Sequence, residues 1–152
     1  MSYKKIYYLN PETCTGCMVC RLACSLKHEK SSFNPESSRI KICYVAEEGN
    51  YIPVVCRQCE DTPCIDACSS DALSVDKNTG AVLVDEEKCS GCSLCVDSCR
   101  YGAVFIHYEK NVACICNLCG GEPECVKYCL QEAIFYAMPE EIKGKPEKKY
   151  AK

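Results

Sequence analysis

Short β-type segments are the first pattern along this chain. They contain four to seven residues, are rich in Val, Ile, Ala and Tyr, and alternate with polar stretches that often contain glycine. The segments predicted as strands are Lys5–Leu9, Arg39–Val45, Tyr51–Val55, Ala72–Val75, Ala81–Val84, Ala103–His107, Val112–Ile115 and Ala133–Tyr136. Asp76–Gly80, between the fourth and fifth segments, is typical of a hairpin connection.

Cysteines fill the stretches between these strands. The 152 residues include 18 cysteines, about 12% of the chain, and such a share indicates a cysteine scaffold. Sixteen of them form four quartets, which are Cys14, Cys17, Cys20, Cys24; Cys56, Cys59, Cys64, Cys68; Cys89, Cys92, Cys95, Cys99; and Cys116, Cys119, Cys125, Cys129. The first and third quartets follow C-x2-C-x2-C-x3-C, and the other two have a longer interval before the third cysteine.

Each quartet closes with a C-x3-C pair. Residues four apart lie on the same side of a helix, so each pair predicts a short helical turn. The resulting unit of strand, cysteine loop, short helix and strand recurs four times along the chain. This repetition predicts an α+β fold of short strands and short helices.

The cysteine spacing favours [4Fe–4S] clusters over other uses of thiols. A C-x2-C-x2-C loop offers three thiolates to one cluster, and in two-cluster bacterial ferredoxins the fourth cysteine of the run ligates the other cluster. Structural zinc sites usually pair two C-x2-C knuckles, and disulfides need an oxidising compartment. A zinc-stabilised interaction module stays an alternative, as does a zinc or [3Fe–4S] site in the fourth quartet.

Charge and targeting signals narrow the function further. The N-terminal residues Met1–Tyr8 contain no apolar signal region, which predicts a cytoplasmic protein, although export with a signal-bearing partner stays open. The formal charge is −3, and four oxidised clusters with their thiolates would add about −8. We therefore expect basic docking surfaces on partners, no nucleic-acid binding and no direct membrane insertion.

Motifs for substrate chemistry are missing from the sequence. There is no G-x-G-x-x-G fingerprint after a strand, no P-loop and no convincing acid–base or nucleophilic constellation. The cysteines are assigned as ligands and not as nucleophiles. We therefore predict that the chain has no catalytic activity of its own.

The quartets and their loop lengths resemble those of the four-cluster polyferredoxin subunits of anaerobic oxidoreductases. This family includes the iron–sulfur β subunits of dimethyl sulfoxide reductase and formate dehydrogenase, and the small subunits associated with formate hydrogenlyase and tungsten-dependent aldehyde oxidoreductases. The resemblance covers roughly residues 3–137. The segments that support it are Cys14–His28, Cys56–Cys64, Cys89–Cys95 and Cys116–Cys125.

The resemblance implies two interleaved bacterial-ferredoxin-like halves in which fourth cysteines cross over. Half A would span about 1–40 plus 108–138, half B about 50–107, within one domain of residues 1–138 followed by a charged tail, 139–152. The implied ligand sets are site I (Cys14, Cys17, Cys20, Cys129), site II (Cys116, Cys119, Cys125, Cys24), site III (Cys56, Cys59, Cys64, Cys99) and site IV (Cys89, Cys92, Cys95, Cys68).

The family also implies a function in electron transfer. The chain would relay single electrons between a catalytic subunit that contains a tungsten or molybdenum pterin, such as an aldehyde oxidoreductase, and a partner such as ferredoxin or a flavin subunit. A free-standing polyferredoxin carrier is the alternative, and self-stacking into a longer wire is also conceivable.

Several residues beside the quartets have open roles. Family members usually have proline after the fourth cysteine, whereas this chain has Ser25, Ser69, Arg100 and Leu130, which adds backbone donors near the sulfurs. Cys43 is predicted to be a small, at least partly buried residue, and Cys114 either a buried residue or an alternative ligand. His28 and His107 are expected on the surface or in support of the ligands.

Overall fold

The computed structural model describes residues 2–8, 12–30 and 33–142, and short elements make up this part of the chain. The strands are β1 Lys5–Tyr8, β2 Lys41–Val45, β3 Asn50–Val54, β4 Leu73–Val75, β5 Val82–Val84, β6 Phe105–Ile106, β7 Ala113–Cys114 and β8 Ile134–Ala137. The helices are α1 Val19–Glu29, α2 Pro63–Asp66, α3 Leu94–Ser98 and α4 Glu124–Lys127. Every predicted strand is present, with its ends moved by at most two residues, which confirms a small mixed fold.

The strands form four separate two-stranded antiparallel sheets. Three of them are hairpins, β2–β3, β4–β5 and β6–β7. The fourth sheet joins the two ends of the described chain, because β1 pairs with β8 and places Lys5 opposite Ala137 and Tyr8 opposite Ile134. The first and last quartets are thereby brought to the same part of the molecule.

The predicted hairpin at Asp76–Gly80 is closed by the side chain of Asp76. Its carboxylate accepts hydrogen bonds from the amides of Asn78 and Thr79 and from the Thr79 hydroxyl at 2.6 Å. These bonds hold the pKa of Asp76 below its usual range. The Gly80 amide donates to the Asp76 carbonyl at 2.8 Å, which completes the turn.

A helix follows the cysteine loop of each quartet, as expected, but the first is longer than a single turn. α1 runs for 11 residues because it continues through helix-favouring Leu, Ala and Lys residues. It stops at Lys30, whose left-handed conformation lets its amide donate to the Leu26 carbonyl. α1 packs against α4, and α2 packs against α3.

Cysteines form a large part of the core, together with aliphatic side chains from the strands and loops. Ile6, Ile40, Ile115 and Leu118 are each at most 1% exposed. The predicted tail begins with a short 3-10 turn at Pro139–Ile142, and residues 143–152 lie outside the described part of the chain. The elements around this core mainly position cysteine loops.

Candidate metal centres

Three cavities are each lined by one complete implied ligand set. The cysteines of site I line a cavity beneath Ile42 and Pro53 of the β2–β3 hairpin. The cysteines of sites III and IV line two further cavities. The empty volumes are about 350, 370 and 290 Å³. Each cavity thus combines three thiols from one quartet with the fourth cysteine of another.

The four cysteines of site II are drawn together as well. Burial raises the pKa of Cys125, and the nearby thiols of Cys116, Cys24 and Cys119 raise it further. Burial likewise raises the pKa of Cys116 to about 12, with contributions from Cys24 and Cys119. The mutual influence of these thiols places Cys24 of the first quartet beside three cysteines of the fourth.

Each site provides four cysteine thiols. In the part of the chain that the structure describes, no group of three or more Cys, His, Asp or Glu side chains is suited to hold a metal ion by itself. In a cubane cluster each thiolate binds a different iron atom, so four separate thiols are what such a cluster requires. The donor sets therefore fit a [4Fe–4S] cluster.

Left-handed backbone conformations bend the cysteine loops around these cavities. In the first and third quartets a glycine precedes the second cysteine, and Gly16 and Gly91 adopt φ values of 71° and 70°. Gln58 and Leu118 occupy the same position in the other quartets and are also left-handed, with φ of 47° and 54°. Only glycine adopts this conformation without strain, so the second and fourth loops are less favourable locally.

Backbone amides donate hydrogen bonds to the fourth-cysteine sulfurs from a position that sequence reasoning did not indicate. The amide four residues further on donates to the sulfur in three quartets, at 3.3 to 3.4 Å. These pairs are Ala72 to Cys68, Ala103 to Cys99 and Ala133 to Cys129. In the first quartet α1 continues past Cys24, and the Arg39 amide donates to its sulfur at 3.3 Å instead.

Electrostatic influences between thiols of neighbouring sites indicate that the four sites follow one another in a row. Burial raises the pKa of each of three cysteines, and a thiol of the adjacent site raises it further. The pairs that link one site to the next are Cys125 with Cys20, Cys56 with Cys116, and Cys95 with Cys64. Together they give the order I, II, III, IV.

Exposure differs between the ends of this row and its middle. Cys17 of site I and Cys92 of site IV are exposed, whereas every cysteine of sites II and III is buried or partly buried. The row therefore approaches solvent at both ends and is enclosed at its centre.

Gln58 is a structural residue that sequence analysis missed. Its side chain is buried, donates through Nε2 to the Cys116 carbonyl at 2.7 Å, and accepts through Oε1 from the Val82 amide at 2.8 Å. It thereby connects the second cysteine loop to the fourth and to β5. The sequence does contain a signal for this residue. The second quartet begins C-R-Q-C, so glutamine stands where the first and third quartets, C-T-G-C and C-S-G-C, have glycine.

Site II has polar neighbours that the quartet pattern did not reveal. Nε2 of His28 lies 3.9 Å from the sulfur of Cys119. Arg39 adds its amide bond to Cys24, and its charge opposes the burial that raises the pKa of Cys116. Arg39 is far in sequence from Cys116, and nothing in its local pattern marked it.

The remaining cysteines and histidine have different surroundings. Cys43 is exposed, so the prediction of a partly buried residue was wrong, because β2 is exposed on both faces at Cys43 and Tyr44. Cys114 is buried, and burial raises the pKa of its thiol to about 11. His107 is also buried, with Nε2 3.2 Å from Glu29 while Nδ1 accepts from the Glu109 and Lys110 amides, so its role is structural support.

The arginines next to ligand cysteines each have a partner of their own. Arg21 donates to the Pro35 carbonyl at 2.7 Å and pairs with Glu36. Arg57 lies over the ring of Tyr101, and Arg100 pairs with Asp61.

Within residues 2–8, 12–30 and 33–142, no helix has the length and apolar character needed to cross a membrane.

Comparisons with known proteins extend these observations. The profile of the 4Fe-4S dicluster domain matches residues 47–138. The polyferredoxin-like subunit of aliphatic sulfonate oxidoreductase from Pyrococcus furiosus is 46% identical over 121 residues, which cover 80% of this chain and 69% of that protein. The electron transport protein HydN of Escherichia coli is 33% identical, with 80% and 81% covered.

A solved structure has a similar architecture. It is the active site complex BamBC of benzoyl coenzyme A reductase with benzoyl-CoA, in which the matching chain is 25% identical. The match covers 89% of this chain and 81% of that chain, with a TM-score of 0.50.

These relatives confirm the predicted resemblance to polyferredoxin-type subunits. Their descriptions as electron transport and polyferredoxin-like proteins agree with a non-catalytic role in electron transfer. [4Fe–4S] clusters are the cofactors that the matched domain and the cysteine quartets require. The chain belongs to the 4Fe-4S dicluster domain family and is an electron-transfer iron–sulfur protein.

Proposed function

We propose that this chain is the electron-transfer subunit of an oxidoreductase complex and relays single electrons through four [4Fe–4S] clusters. The clusters would be held at sites I to IV by the sixteen cysteines of the four quartets. The observation that carries this proposal is the row of four cysteine sets, which is enclosed at its centre and exposed at both ends. Such a row offers one entry and one exit for electrons.

The crossing of fourth cysteines supports the division into two interleaved halves. Cys129 lines the site I cavity, and the thiol of Cys24 influences those of site II. Cys99 lines the site III cavity and Cys68 that of site IV. The contacts of α1 with α4 and of α2 with α3 agree with half A at about 1–40 plus 108–138 and half B at about 50–107.

The residues around the sites support electron transfer without substrate chemistry. When bound, each cluster accepts and returns one electron at a potential that depends on charge, hydrogen bonds to sulfur and solvent exposure. The Ala72, Ala103, Ala133 and Arg39 amides donate to fourth-cysteine sulfurs and would stabilise negative charge there. Aliphatic residues such as Ile115 and Leu118 exclude water from the middle of the row.

The partner is proposed from the family resemblance and its relatives. A catalytic subunit with a tungsten or molybdenum pterin, with aldehyde oxidoreductase as the first candidate, would exchange electrons at one end of the row. Ferredoxin or a flavin subunit would do so at the other end. The Pyrococcus furiosus relative is described as a subunit of a sulfonate oxidoreductase, which supports membership of a complex over a free-standing carrier. A cytoplasmic location stays a prediction.

Metal and sulfide analysis of anaerobically purified protein tests the cluster assignment. We expect about sixteen iron atoms and about as many sulfides per chain, with the visible and EPR spectra of cubane clusters. About two to four zinc atoms with little iron would instead support the zinc-stabilised module.

Paired cysteine variants test the ligand sets. Cys20→Ala is expected to lose or convert the cluster of site I, with a fall of about one to four irons. Cys43→Ala, a change of the same type at an exposed cysteine outside the quartets, should keep the full iron content. Equal iron loss in both variants would contradict the assignment.

Purification of the protein from its native host under anaerobic conditions tests the complex. Constant co-purification with a larger subunit that contains tungsten or molybdenum would support the proposed partner. Recovery of a fully loaded monomer from such a host would favour the free-standing carrier.

A further inference from the structure

Two groups from outside the cysteine loop of site II contact its sulfurs. The Arg39 amide donates to Cys24 at 3.3 Å, and His28 Nε2 lies 3.9 Å from Cys119. At site IV the Ala113 amide likewise donates to Cys89, at 3.3 Å, so the feature particular to site II is the imidazole and not the distant backbone donor. His28 lies on α1, whereas Arg39 precedes β2, so two separate elements converge on the site.

The side chain of Arg39 adds a permanent positive charge at site II. Its Nε atom is buried and has no hydrogen-bond partner within the described residues. Burial raises the pKa of both Cys116 and Cys114, and the charge of Arg39 acts against this in each case. The guanidinium therefore lies near the ligand Cys116 in an interior where charges interact strongly.

No comparable charge acts at the other sites within the described residues. The leading influences on Cys14 and Cys20 of site I and on Cys95 of site IV are burial, backbone hydrogen bonds and neighbouring thiols. Burial raises the pKa of Cys59 at site III, followed by Asp61, while Arg100 and Lys5 oppose both. Arg100 is paired with that same Asp61, and Lys5 lies 3.9 Å from the carboxylate of Glu60, so each of these cations is already offset by a carboxylate.

We propose that Arg39 and His28 make site II the most readily reduced of the four sites. This inference rests on the proposed function, because it requires clusters at the sites. Reduction adds one electron and no proton or bond, so negative charge at the site increases. A buried guanidinium stabilises this extra charge, as does the imidazole of His28 in the tautomer that carries its hydrogen on Nε2, and both raise the potential. An electron would then reside at site II, inside the molecule, until a partner at either end accepts it.

Potentials of site II variants test the proposal. The full-length loaded protein is titrated anaerobically and followed by EPR. Arg39→Gln should lower the midpoint potential of one component, the one that has the highest potential in the wild type. The expected shift is at least about tenfold in the ratio of reduced to oxidised protein at fixed potential, about 59 mV for one electron. Arg39→Lys keeps the charge and should bring the potential most of the way back to the wild-type value. A purely structural role of Arg39 would not explain such a rescue.

A second variant and a control make the assignment independent of folding defects at Arg39. His28→Leu should lower the midpoint potential of the same component, because His28 and Arg39 both face site II. The control Arg100→Gln should leave the midpoint potentials of all components close to their wild-type values. A shift of different components in the two site II variants, or no shift in either, would overturn the proposal. Wild-type protein without iron would instead refute the proposed function, so the two failures are distinguishable.

Discussion

Single residues in left-handed conformations determine the course of each cysteine loop. Gly16 and Gly91 satisfy this requirement without strain, and Met18 and Ser93 follow them with φ values of 64° and 68°. Left-handed residues on both sides of the second cysteine turn the successive cysteines of the loop toward one cavity. Gly16 has a second reason to lack a side chain, because the ring of Tyr51 covers it.

Replacement of Gly16 by Ala is expected to destabilise the loaded protein by about 2 kcal/mol or more, because strain at positive φ adds to a steric clash. A Cβ at this position would lie 2.7 Å from Cγ and Cδ1 of Tyr51. Anaerobic guanidinium unfolding, followed by cluster absorbance, measures the change.

Gly49→Ala is the matched control, since Gly49 has φ of 67° but nothing within 4 Å of an added Cβ. It should show the strain alone, about 1 kcal/mol. Equal losses in both variants would show that the contact with Tyr51 has no energetic importance.

The elements of this fold are too short to be stable by themselves. A two-stranded sheet is marginal in water, and helices of four or five residues are far below the length at which isolated helices persist. β6 and β7 have two residues each, and α2 and α4 have four. We therefore expect clusters at the sites between them to hold their positions, as metals do in metal-dependent small domains.

Removal of the clusters is therefore expected to unfold the chain. Anaerobic protein stripped with chelator and mild oxidant should lose most of its far-UV circular dichroism and its cooperative unfolding transition. Addition of iron with sulfide should restore both, whereas iron alone should not. A stripped protein that unfolds cooperatively would mean that the aliphatic core suffices.

Gln58 connects the second cysteine loop to the fourth cysteine loop and to β5. Gln58→Leu is expected to destabilise the protein by about 2 kcal/mol or more, because the Cys116 carbonyl and the Val82 amide would lose their buried partner. Anaerobic chemical unfolding gives the value. Gln131→Leu, at an exposed glutamine, should change stability by less than about 0.5 kcal/mol, and an equal effect there would refute this role for Gln58.

Negative charge dominates the whole molecule once the sites are filled. The formal charge of −3 excludes the clusters, which would add about −8. Cys17 and Cys92 are exposed at the two ends of the row, so filled sites I and IV would both be accessible to external molecules in this strong field.

Salt should therefore change the oxidation rate of the reduced protein in a direction set by the charge of the acceptor. With a cationic one-electron acceptor, the rate should fall severalfold between low ionic strength and about 0.15 M, where the Debye length is about 8 Å. An anionic acceptor of similar potential is the control and should show the opposite trend. Stopped-flow absorbance measures both, and identical salt dependences would contradict electrostatic steering.

The sequence by itself determined the family, the cofactor and the approximate positions of the strands. Cysteine spacing is local, and the loop around a cluster is determined by the intervals between its ligands, so C-x2-C-x2-C could be interpreted without a structure. The short β segments were recognisable because Val, Ile and Tyr alternate with polar turns. The crossing of fourth cysteines was available only through the resemblance.

Only the tertiary structure decided which sites are neighbours and what surrounds each of them. The charge of Arg39 acts on Cys116, and Gln58 forms hydrogen bonds with both Cys116 and Val82, across long stretches of sequence. Exposure of Cys43 and burial of His107 likewise depend on which parts of the chain pack over each hairpin. Such contacts arise from the packing of distant segments, which short-range patterns do not encode, and they set the electrostatic differences between four otherwise similar sites.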